Sequence, residues 1–164
     1  MTGDESESEG GFRRPESVLV IVYTAALECL LLERVAPEGF WQSVTGTLRR
    51  DETPAEAAAR EVREETGLDP AGLRDANVTR RFPILPEWRS RFAPDISENT
   101  EYLWYLELPE RQPVTLDPTE HRAYRWLPLD YAIREASSWT NREGLERLAR
   151  GSALSARKRD EPTL

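Results

Sequence analysis

The stretch that most constrains this chain runs from Gly46 to Leu68 and reads GTLRRDETPAEAAAREVREETGL. A glycine and a polar loop come first, and a helical pattern with closely spaced glutamates follows. Like charges three or four residues apart on a helix destabilise it by about 0.2–0.5 kcal/mol per pair. A fold that keeps such residues together therefore surrounds them with solvent or places a cation among them. The glutamates concerned are Glu52, Glu61, Glu64 and Glu65.

Local signals define both ends of the helix in this stretch. Thr53 suits the N-cap, Pro54 suits the first helical position, and Glu56 completes a capping box with Thr53. Gly67 suits the left-handed residue that often follows a last helical turn. The sequence therefore predicts a helix from Pro54 to Thr66.

The acidic side chains of this helix are expected beside its packing face. At about 100° per residue, the stripe of Glu61, Glu64 and Glu65 flanks the small residues that can pack on a sheet. Arg60 falls on the far side, four residues from Glu56, where the two can form a surface ion pair. The small residues are Ala55, Ala58, Ala59, Val62 and Thr66.

Two interpretations of the acidic stripe follow from this placement. One is a solvated acidic surface, which is the usual role of a run of charges. The other is a metal site, because clustered carboxylate oxygens select hard cations such as Mg²⁺ or Mn²⁺. The position beside a packing face and after a glycine loop favours the metal site. Metal-assisted phosphoryl transfer or hydrolysis is the chemistry that such a site suggests.

Composition limits the classes of protein that this sequence can encode. The 164 residues suffice for one domain with a core, and the net charge of −8 disfavours binding to nucleic acid phosphates. No apolar run approaches the roughly 20 residues of a membrane-spanning helix, and the acidic N-terminus does not resemble a secretory signal. The single cysteine excludes a disulfide framework. We expect a cytoplasmic monomer that binds neither nucleic acid nor membrane.

Apolar patterning places the remaining elements and predicts an α+β fold with one domain. Residues 1–11 are acidic and rich in Ser and Gly, so they should form a disordered tail. The domain then covers residues 12–150, and residues 151–164 should form a flexible tail. The predicted strands are Ser17–Thr24, Cys29–Arg34, Phe40–Thr45, Asn77–Leu85, Glu101–Leu108 and Ala123–Leu127. Further helices are predicted over Leu129–Ala136 and Asn141–Arg150, the second with a capping box from Thr140 to Glu143, and a long loop over Pro86–Asn99.

The glutamate-rich stretch resembles the signature of the Nudix hydrolases, G-x5-E-x7-R-E-U-x-E-E-x-G-U, at every fixed position. The matching residues are Gly46, Glu52, Arg60, Glu61, Val62, Glu64, Glu65, Gly67 and Leu68. The resemblance implies an α/β/α sandwich with a mixed central sheet flanked by helices. It also implies Mg²⁺-dependent hydrolysis of a diphosphate linked to another group, with Mn²⁺ as a possible substitute. Glu61 and Glu65 would be the principal metal ligands, Glu64 and Glu52 would assist, and Arg60 would orient the glutamates.

Segments outside the signature resemble one bacterial branch of the family, the dihydroneopterin triphosphate diphosphatases, also described as dATP pyrophosphohydrolases. They are Phe40–Gly46, Arg80–Phe92, Asn99–Glu101, Thr119–Leu127 and Ser138–Arg142. This resemblance implies that a small-molecule triphosphate is cleaved to a monophosphate and pyrophosphate, in an early step of folate synthesis. Glu120 would be a third metal ligand. The substrate-binding positions it implies are Arg13, Arg34, Thr45, Phe82, Pro83, Ile84, Leu85 and Ser138.

Several roles stay open at this level. Glu64 is our choice for the general base, and Trp88 is a candidate for stacking on a substrate ring. The lone histidine, His121, is expected to be structural, because neighbours on a strand point to opposite sides and Glu120 faces the site.

Three hypotheses remain for the function of the chain. They are a pterin triphosphate hydrolase, a pyrophosphatase for dATP or oxidised nucleotides, and a Nudix-fold module without catalysis. The last is disfavoured because every glutamate of the signature is present.

Overall fold

The computed structural model describes residues 11–160, with side chains described as far as Ala153. Seven strands and three α-helices make up this part of the chain. The strands are β1 (Glu16–Thr24), β2 (Glu28–Arg34), β3 (Trp41–Gln42), β4 (Val44–Thr47), β5 (Leu73–Pro83), β6 (Glu98–Leu108) and β7 (His121–Pro128). The helices are α1 (Pro54–Thr66), α2 (Leu129–Glu135) and α3 (Trp139–Asp160), with a short 3₁₀ helix at Pro86–Arg91.

The strands form one mixed sheet in the order β3-β2-β1-β6-β5, with β4 also paired to β1 and β7 to β2. Strand β1 runs parallel to β6, and the other pairs are antiparallel. Helix α1 covers one face of the sheet, and helices α2 and α3 cover the other. The predicted α+β fold, an α/β/α sandwich around a mixed sheet, is therefore confirmed.

Strand β1 separates the two cores because its alternate side chains point to opposite faces. Val18 and Val20 pack with Val62 of α1 on one side. Leu19 and Ile21 pack with apolar residues of α2 and α3 on the other. Burial on both faces explains why Ser17–Thr24 is almost uniformly apolar.

Helix α1 has the predicted bounds and the predicted caps. The Thr53 hydroxyl accepts a hydrogen bond from the Glu56 N–H, and the Glu56 carboxylate accepts one from the Thr53 N–H. Gly67 adopts the left-handed conformation with φ 72°. The packing face is rotated from the prediction, since Ala57 is buried and Ala55 is exposed.

Several strand boundaries differ from the prediction. The segment Phe40–Thr45 is divided at Ser43 into β3 and β4, which pair with β2 and β1 respectively. Strand β5 begins at Leu73 rather than Asn77, and its register with β6 shifts between Asp75 and Thr79. Asn77 has a left-handed backbone with φ 54° and lies in this irregular part of the strand. The polar residues around it interrupt the apolar pattern from which the strand was predicted.

The start of helix α3 was predicted incorrectly. The Ser138 hydroxyl accepts the N–H of Asn141, so the helix begins at Trp139 and not at Asn141. Glu143 does not complete a capping box, because its carboxylate pairs with Arg80. The helical backbone continues to Asp160 and so includes much of the expected C-terminal tail.

The predicted N-terminal tail lies outside the described residues except for Gly11. Within residues 11–160, no helix has the length and apolar character needed to cross a membrane.

Candidate active site

The site begins where strand β4 meets helix α1. A methyl group on Gly46 would lie 2.1 Å from Oε1 of Glu61, because the carboxylate fills the space beside the strand. Glycine at this position therefore allows a glutamate of the helix to lie directly on the sheet.

Arg60 lies at the centre of the acidic cluster. Its Nε and Nη2 donate to the two carboxylate oxygens of Glu52, each at 2.8 Å. Its Nη1 donates to Oε1 of Glu61 at 2.6 Å and to Oε2 of Glu64 at 3.2 Å, and its Nη2 also donates to the Thr47 carbonyl. One forked side chain thus holds three glutamates at fixed relative positions.

The predicted surface ion pair between Arg60 and Glu56 is wrong. Glu56 is used in the helix cap, and the long arginine side chain reaches back toward the sheet. The spacing of 100° per residue gives the direction in which Arg60 leaves the helix, but it does not give the position of the guanidinium group at the end of its long side chain.

Glu61 and Glu65 lie one helical turn apart and are 8% and 6% exposed. Burial raises the pKa of Glu61 to about 7, although Arg60 opposes that shift. Burial and the charge of Glu61 raise the pKa of Glu65 well above its ordinary value. Oε2 of Glu65 accepts the Thr45 N–H at 3.3 Å. These two carboxylates form the most costly pair of charges in the acidic cluster.

The residue types in this pair fit a hard divalent cation. Two buried carboxylates with raised pKa values regain their charged forms when a cation neutralises them. Glu120 is exposed, yet its charge contributes to raising the pKa of Glu65, which places it near the pair. Within the described part of the chain, no three acidic, histidine or cysteine side chains already have the arrangement of a metal site. A third ligand therefore requires movement of Glu120 or of another glutamate.

The loop before α1 is held by arginines whose contacts the sequence did not reveal. Arg14 donates to the carbonyls of Arg49 at 3.1 Å and Glu52 at 2.9 Å, and its Nε contacts Glu16. Arg49 donates through its side chain to Glu64 at 3.2 Å. Contacts this far apart in sequence leave no local pattern by which they could be found.

The predicted substrate-binding residues are dispersed around the site. The Arg34 guanidinium lies 5.7 Å from the centre of the Trp88 ring, and Arg13 is tied to the same region because its N–H donates to the Arg91 carbonyl. The Thr45 hydroxyl donates to the Val18 carbonyl. The connection between β5 and β6 thus places Trp88 beside Arg34 at the end of β2.

The segment from Phe82 to Leu85 does not present one continuous surface. Phe82 is half-buried, Pro83 is exposed, Ile84 is buried at 7% exposure and Leu85 is 50% exposed. The hydroxyl of Ser138 accepts the Asn141 N–H at the start of α3. The family resemblance assigned Phe82–Leu85 to the substrate site as one segment, and it did not indicate which of these side chains are exposed to a substrate.

His121 is buried between strands at 1% exposure, with Nε2 3.0 Å from the side-chain nitrogen of Gln42. Its Nδ1 has no hydrogen-bond partner among the described residues. Burial lowers its pKa to about 4. A neutral, enclosed imidazole agrees with the structural role expected for it.

Comparison with known proteins identifies the family. The model of the NUDIX domain matches residues 13–148. The chain belongs to the Nudix family. The dihydroneopterin triphosphate diphosphatase of Escherichia coli K12 is 37% identical over 147 residues, which cover 87% of this chain and 97% of that protein. The Haemophilus influenzae protein of the same name is 35% identical, covering 83% and 88% of the two chains.

A solved structure agrees with these sequence comparisons. The E. coli dihydroneopterin triphosphate pyrophosphohydrolase has a TM-score of 0.77 and 38% identity, covering 83% of this chain and 95% of that one. The protein is therefore a Nudix hydrolase that acts on phosphoanhydrides, in a family that typically uses a divalent metal.

Proposed function

We propose that this Nudix protein hydrolyses 7,8-dihydroneopterin triphosphate to dihydroneopterin monophosphate and pyrophosphate, as a step of folate synthesis. The observation that carries the proposal is the extent of the likeness to the E. coli diphosphatase. That likeness covers 87% of the chain, far more than the Nudix signature itself. Segments that surround the site are therefore shared along with the acidic helix.

Glu61, Glu65 and Glu120 would hold Mg²⁺, or Mn²⁺ in its place, with Glu52 and Glu64 close by. The buried carboxylates described above supply the hard oxygen ligands that these ions prefer. When bound, a divalent cation supplies neutralisation of the triphosphate charge and Lewis-acid activation of water.

The protein's own side chains then orient the reactants and move one proton. Arg60 fixes the separation of Glu52, Glu61 and Glu64. Glu64 is the proposed base, which accepts a proton from the attacking water. The water oxygen bonds to one phosphorus of the α–β phosphate bridge, the bond from that phosphorus to the bridging oxygen breaks, and the monophosphate and pyrophosphate are released. Arg34 and Arg13 are the proposed partners of the phosphates, since arginine matches phosphate geometry.

The remaining positions are proposed to bind the rest of the substrate. Thr45 and Ser138 would contact it through polar atoms, and Phe82, Pro83, Ile84 and Leu85 would lie around the ring. Trp88, next to Arg34, would offer an aromatic face to the same ligand.

A substrate screen tests this proposal directly. Purified protein with Mg²⁺ is given dihydroneopterin triphosphate, dATP, dGTP or an oxidised nucleotide, and released pyrophosphate and phosphate are measured separately. We expect pyrophosphate as the product and the highest kcat/KM on the pterin compound. A higher kcat/KM on a nucleotide would replace the pterin proposal with a nucleotide pyrophosphatase. Absence of Mg²⁺-dependent pyrophosphate release from every triphosphate would point to a binding module.

A further inference from the structure

The loop that connects β4 to α1 carries Glu52, and its backbone conformation is unusual. Asp51 has φ 62°, in the left-handed region that residues other than glycine rarely adopt. The Glu52 N–H donates to the Arg49 carbonyl at 3.1 Å, and the Arg49 N–H donates to Oε1 of Glu52 at 2.9 Å. These bonds define a tight turn, whose conformation sets the position from which the Glu52 side chain extends toward the acidic cluster.

Arg14 ties this turn to a distant part of the chain. Its Nη1 donates to the Arg49 carbonyl at 3.1 Å and to the Glu52 carbonyl at 2.9 Å. The two carbonyls come before and after Asp51 in the chain, so one guanidinium nitrogen bridges the left-handed residue. A charged donor forms stronger hydrogen bonds than a neutral one. The bridge therefore opposes opening of the turn.

The Arg14 guanidinium is itself held in place by the sheet. Its Nε donates to Oε1 of Glu16 at 2.8 Å, and Oε2 of Glu16 accepts the Tyr102 hydroxyl at 2.7 Å. Glu16 begins β1, and Tyr102 lies on the adjacent strand β6. Burial raises the pKa of Glu16, but the hydrogen bonds from Tyr102 and Arg14 outweigh burial and lower it overall. Glu16 is therefore an ionised partner that fixes the direction of Arg14.

The series of contacts reaches the acidic cluster through Glu52. Arg14 binds the Glu52 carbonyl, and Arg60 binds both oxygens of the Glu52 carboxylate. Glu52 is thus held at its backbone by one arginine and at its side chain by another. Residues that orient the acidic groups around a metal commonly change its affinity by about 10–100-fold without touching it.

The Arg14–Glu16 pair is better suited to fixing a local conformation than to stabilising the fold. The two side chains are 28% and 26% exposed. Water screens ion pairs that it can reach, so such pairs contribute little to global stability. Loss of Arg14 should therefore be detected in the turn before it is detected in the unfolding of the protein.

We propose that Arg14 is a positioning residue that fixes Glu52 in the acidic cluster, and that Glu16 and Tyr102 fix the direction of its guanidinium group. Arg14 acts through Glu52 and not by contact with the substrate. The proposal rests on the proposed cation site, and it holds whichever triphosphate is hydrolysed.

Hydrogen exchange of the metal-free protein tests whether Arg14 holds the turn. Arg14→Met keeps an apolar stem but removes the guanidinium donors. Backbone amides of residues 48–52 should exchange roughly tenfold faster, while those in the second half of α1 remain protected. Arg134→Met is the matched control, because Arg134 forms an exposed ion pair with Asp130 on α2. Unchanged exchange of the turn in Arg14→Met would overturn the proposal.

Affinity for Mg²⁺ tests whether Arg14 acts through Glu52. Titration calorimetry compares the wild-type protein, Arg14→Met, Glu52→Gln and the double variant. Arg14→Met should bind Mg²⁺ about tenfold more weakly than the wild-type protein. It should cause no further loss when Glu52→Gln is already present, because the group that it positions is then absent.

Two results of this titration would overturn the proposal. One is an unchanged affinity in Arg14→Met, and the other is an equal loss with and without Glu52→Gln, which would show a general structural effect. Absence of Mg²⁺ binding by the wild-type protein would instead contradict the proposed cation site, and hydrogen exchange would still decide whether Arg14 holds the turn.

Tyr102→Phe covers the case in which Arg14→Met does not fold, since it removes one hydroxyl and keeps the ring. Exchange of residues 48–52 should then rise about threefold, because one hydrogen bond of the network is lost. Tyr131→Phe is the control, since Tyr131 is an exposed residue of α2. Equal exchange of the turn in these two variants would overturn the proposed network.

Discussion

The two faces of the sheet bury acidic residues in opposite ways. On the α1 face, Arg60 binds Glu52, Glu61 and Glu64, so charges of both signs are concentrated in one network. On the α3 face, Glu101 is buried beside a hydroxyl. A network of ions suits the binding of a metal and phosphates, whereas the buried acid of the α3 face is bonded to a neutral side chain.

The effect of the arginine is visible in the pKa shifts of Glu52 and Glu101. Burial raises the pKa of Glu52, but its bonds to Arg60 and the Arg49 backbone outweigh burial, so the net pKa is lowered. Glu101 has no such compensation, and burial raises its pKa to about 7. Burial alone thus does not set the charge of a carboxyl group, because neighbouring donors outweigh burial at Glu52 but not at Glu61.

The largest expected effect follows from removing the arginine of the network. Arg60→Met leaves three glutamates close together without their cation, and this should lower the free energy of unfolding by about 3–5 kcal/mol. Urea denaturation measures the loss. Arg63→Met is the control, because Arg63 is an exposed residue of the same helix. Equal stability of the two variants would show that Arg60 does not stabilise the cluster.

The next effect concerns the pH dependence of stability on the α3 face. Glu101 titrates near 7 when folded and near 4.5 when unfolded, so the folded state holds the extra proton between these values. Glu101 should therefore lower the stability by roughly 3 kcal/mol as pH rises from 4.5 through 7, in addition to a decline of the same sign from Glu61 and Glu65. Arg80, Glu143 and Arg147 line the same small cavity as Glu101 and can alter this size.

Comparison with Glu101→Gln isolates this contribution. The free energy of unfolding of the variant, measured by urea denaturation from pH 5 to 8, should decline less steeply, because only Glu61 and Glu65 still lose a proton with raised pKa values. The difference between the two proteins should therefore grow with pH. Parallel curves for the two proteins would show that Glu101 does not titrate in this window.

A smaller effect is expected from displacing one acidic side chain on the α1 face. Gly46→Ala places a methyl group where the Glu61 carboxylate now lies. Pyrophosphate release should fall about 10–100-fold, because misplacing a reacting group by about 1 Å has effects of this order. The unfolding temperature should change little, since the carboxylate end of Glu61 can move aside. Gly151→Ala is the control, since a methyl group there meets open space.

The smallest effect tests the helix cap outside both sites. Thr53→Ala removes the side-chain acceptor for the Glu56 N–H and should lower the free energy of unfolding by about 1 kcal/mol. Urea denaturation measures that loss, and the substrate preference should be unchanged. A shift in preference would show that the cap of α1 also affects substrate binding.

The α1 face could be predicted from sequence because its determinants are local. The caps, the helix and all but one of the proposed metal ligands lie between Gly46 and Leu68 and follow fixed spacings. The fold followed from apolar runs that alternate or continue over whole strands. Helical spacing did not predict the orientation of Arg60, since it depends on Thr47 at the end of β4 and on Glu52 in the following loop; only the family resemblance implied that Arg60 orients the glutamates.

The α3 face could not be predicted because its parts come from distant segments. Ser17, Glu101 and Thr140 meet only when β1, β6 and α3 are assembled. Glu101 begins an aromatic, apolar run, and nothing in that run marks its glutamate as buried. The start of β5 at Leu73 was not predicted either, because an irregularity around Asn77 interrupts the apolar pattern of the strand.

Binding of Mg²⁺ tests the division between the two faces most directly. Titration calorimetry on the wild-type protein, Glu61→Gln and Glu101→Gln measures the affinity for the cation without turnover. We predict that the wild-type protein and Glu101→Gln bind Mg²⁺ equally, and that Glu61→Gln loses most of the affinity while remaining folded. Unchanged Mg²⁺ affinity in Glu61→Gln, or its loss in Glu101→Gln, would contradict a cation site on the α1 face.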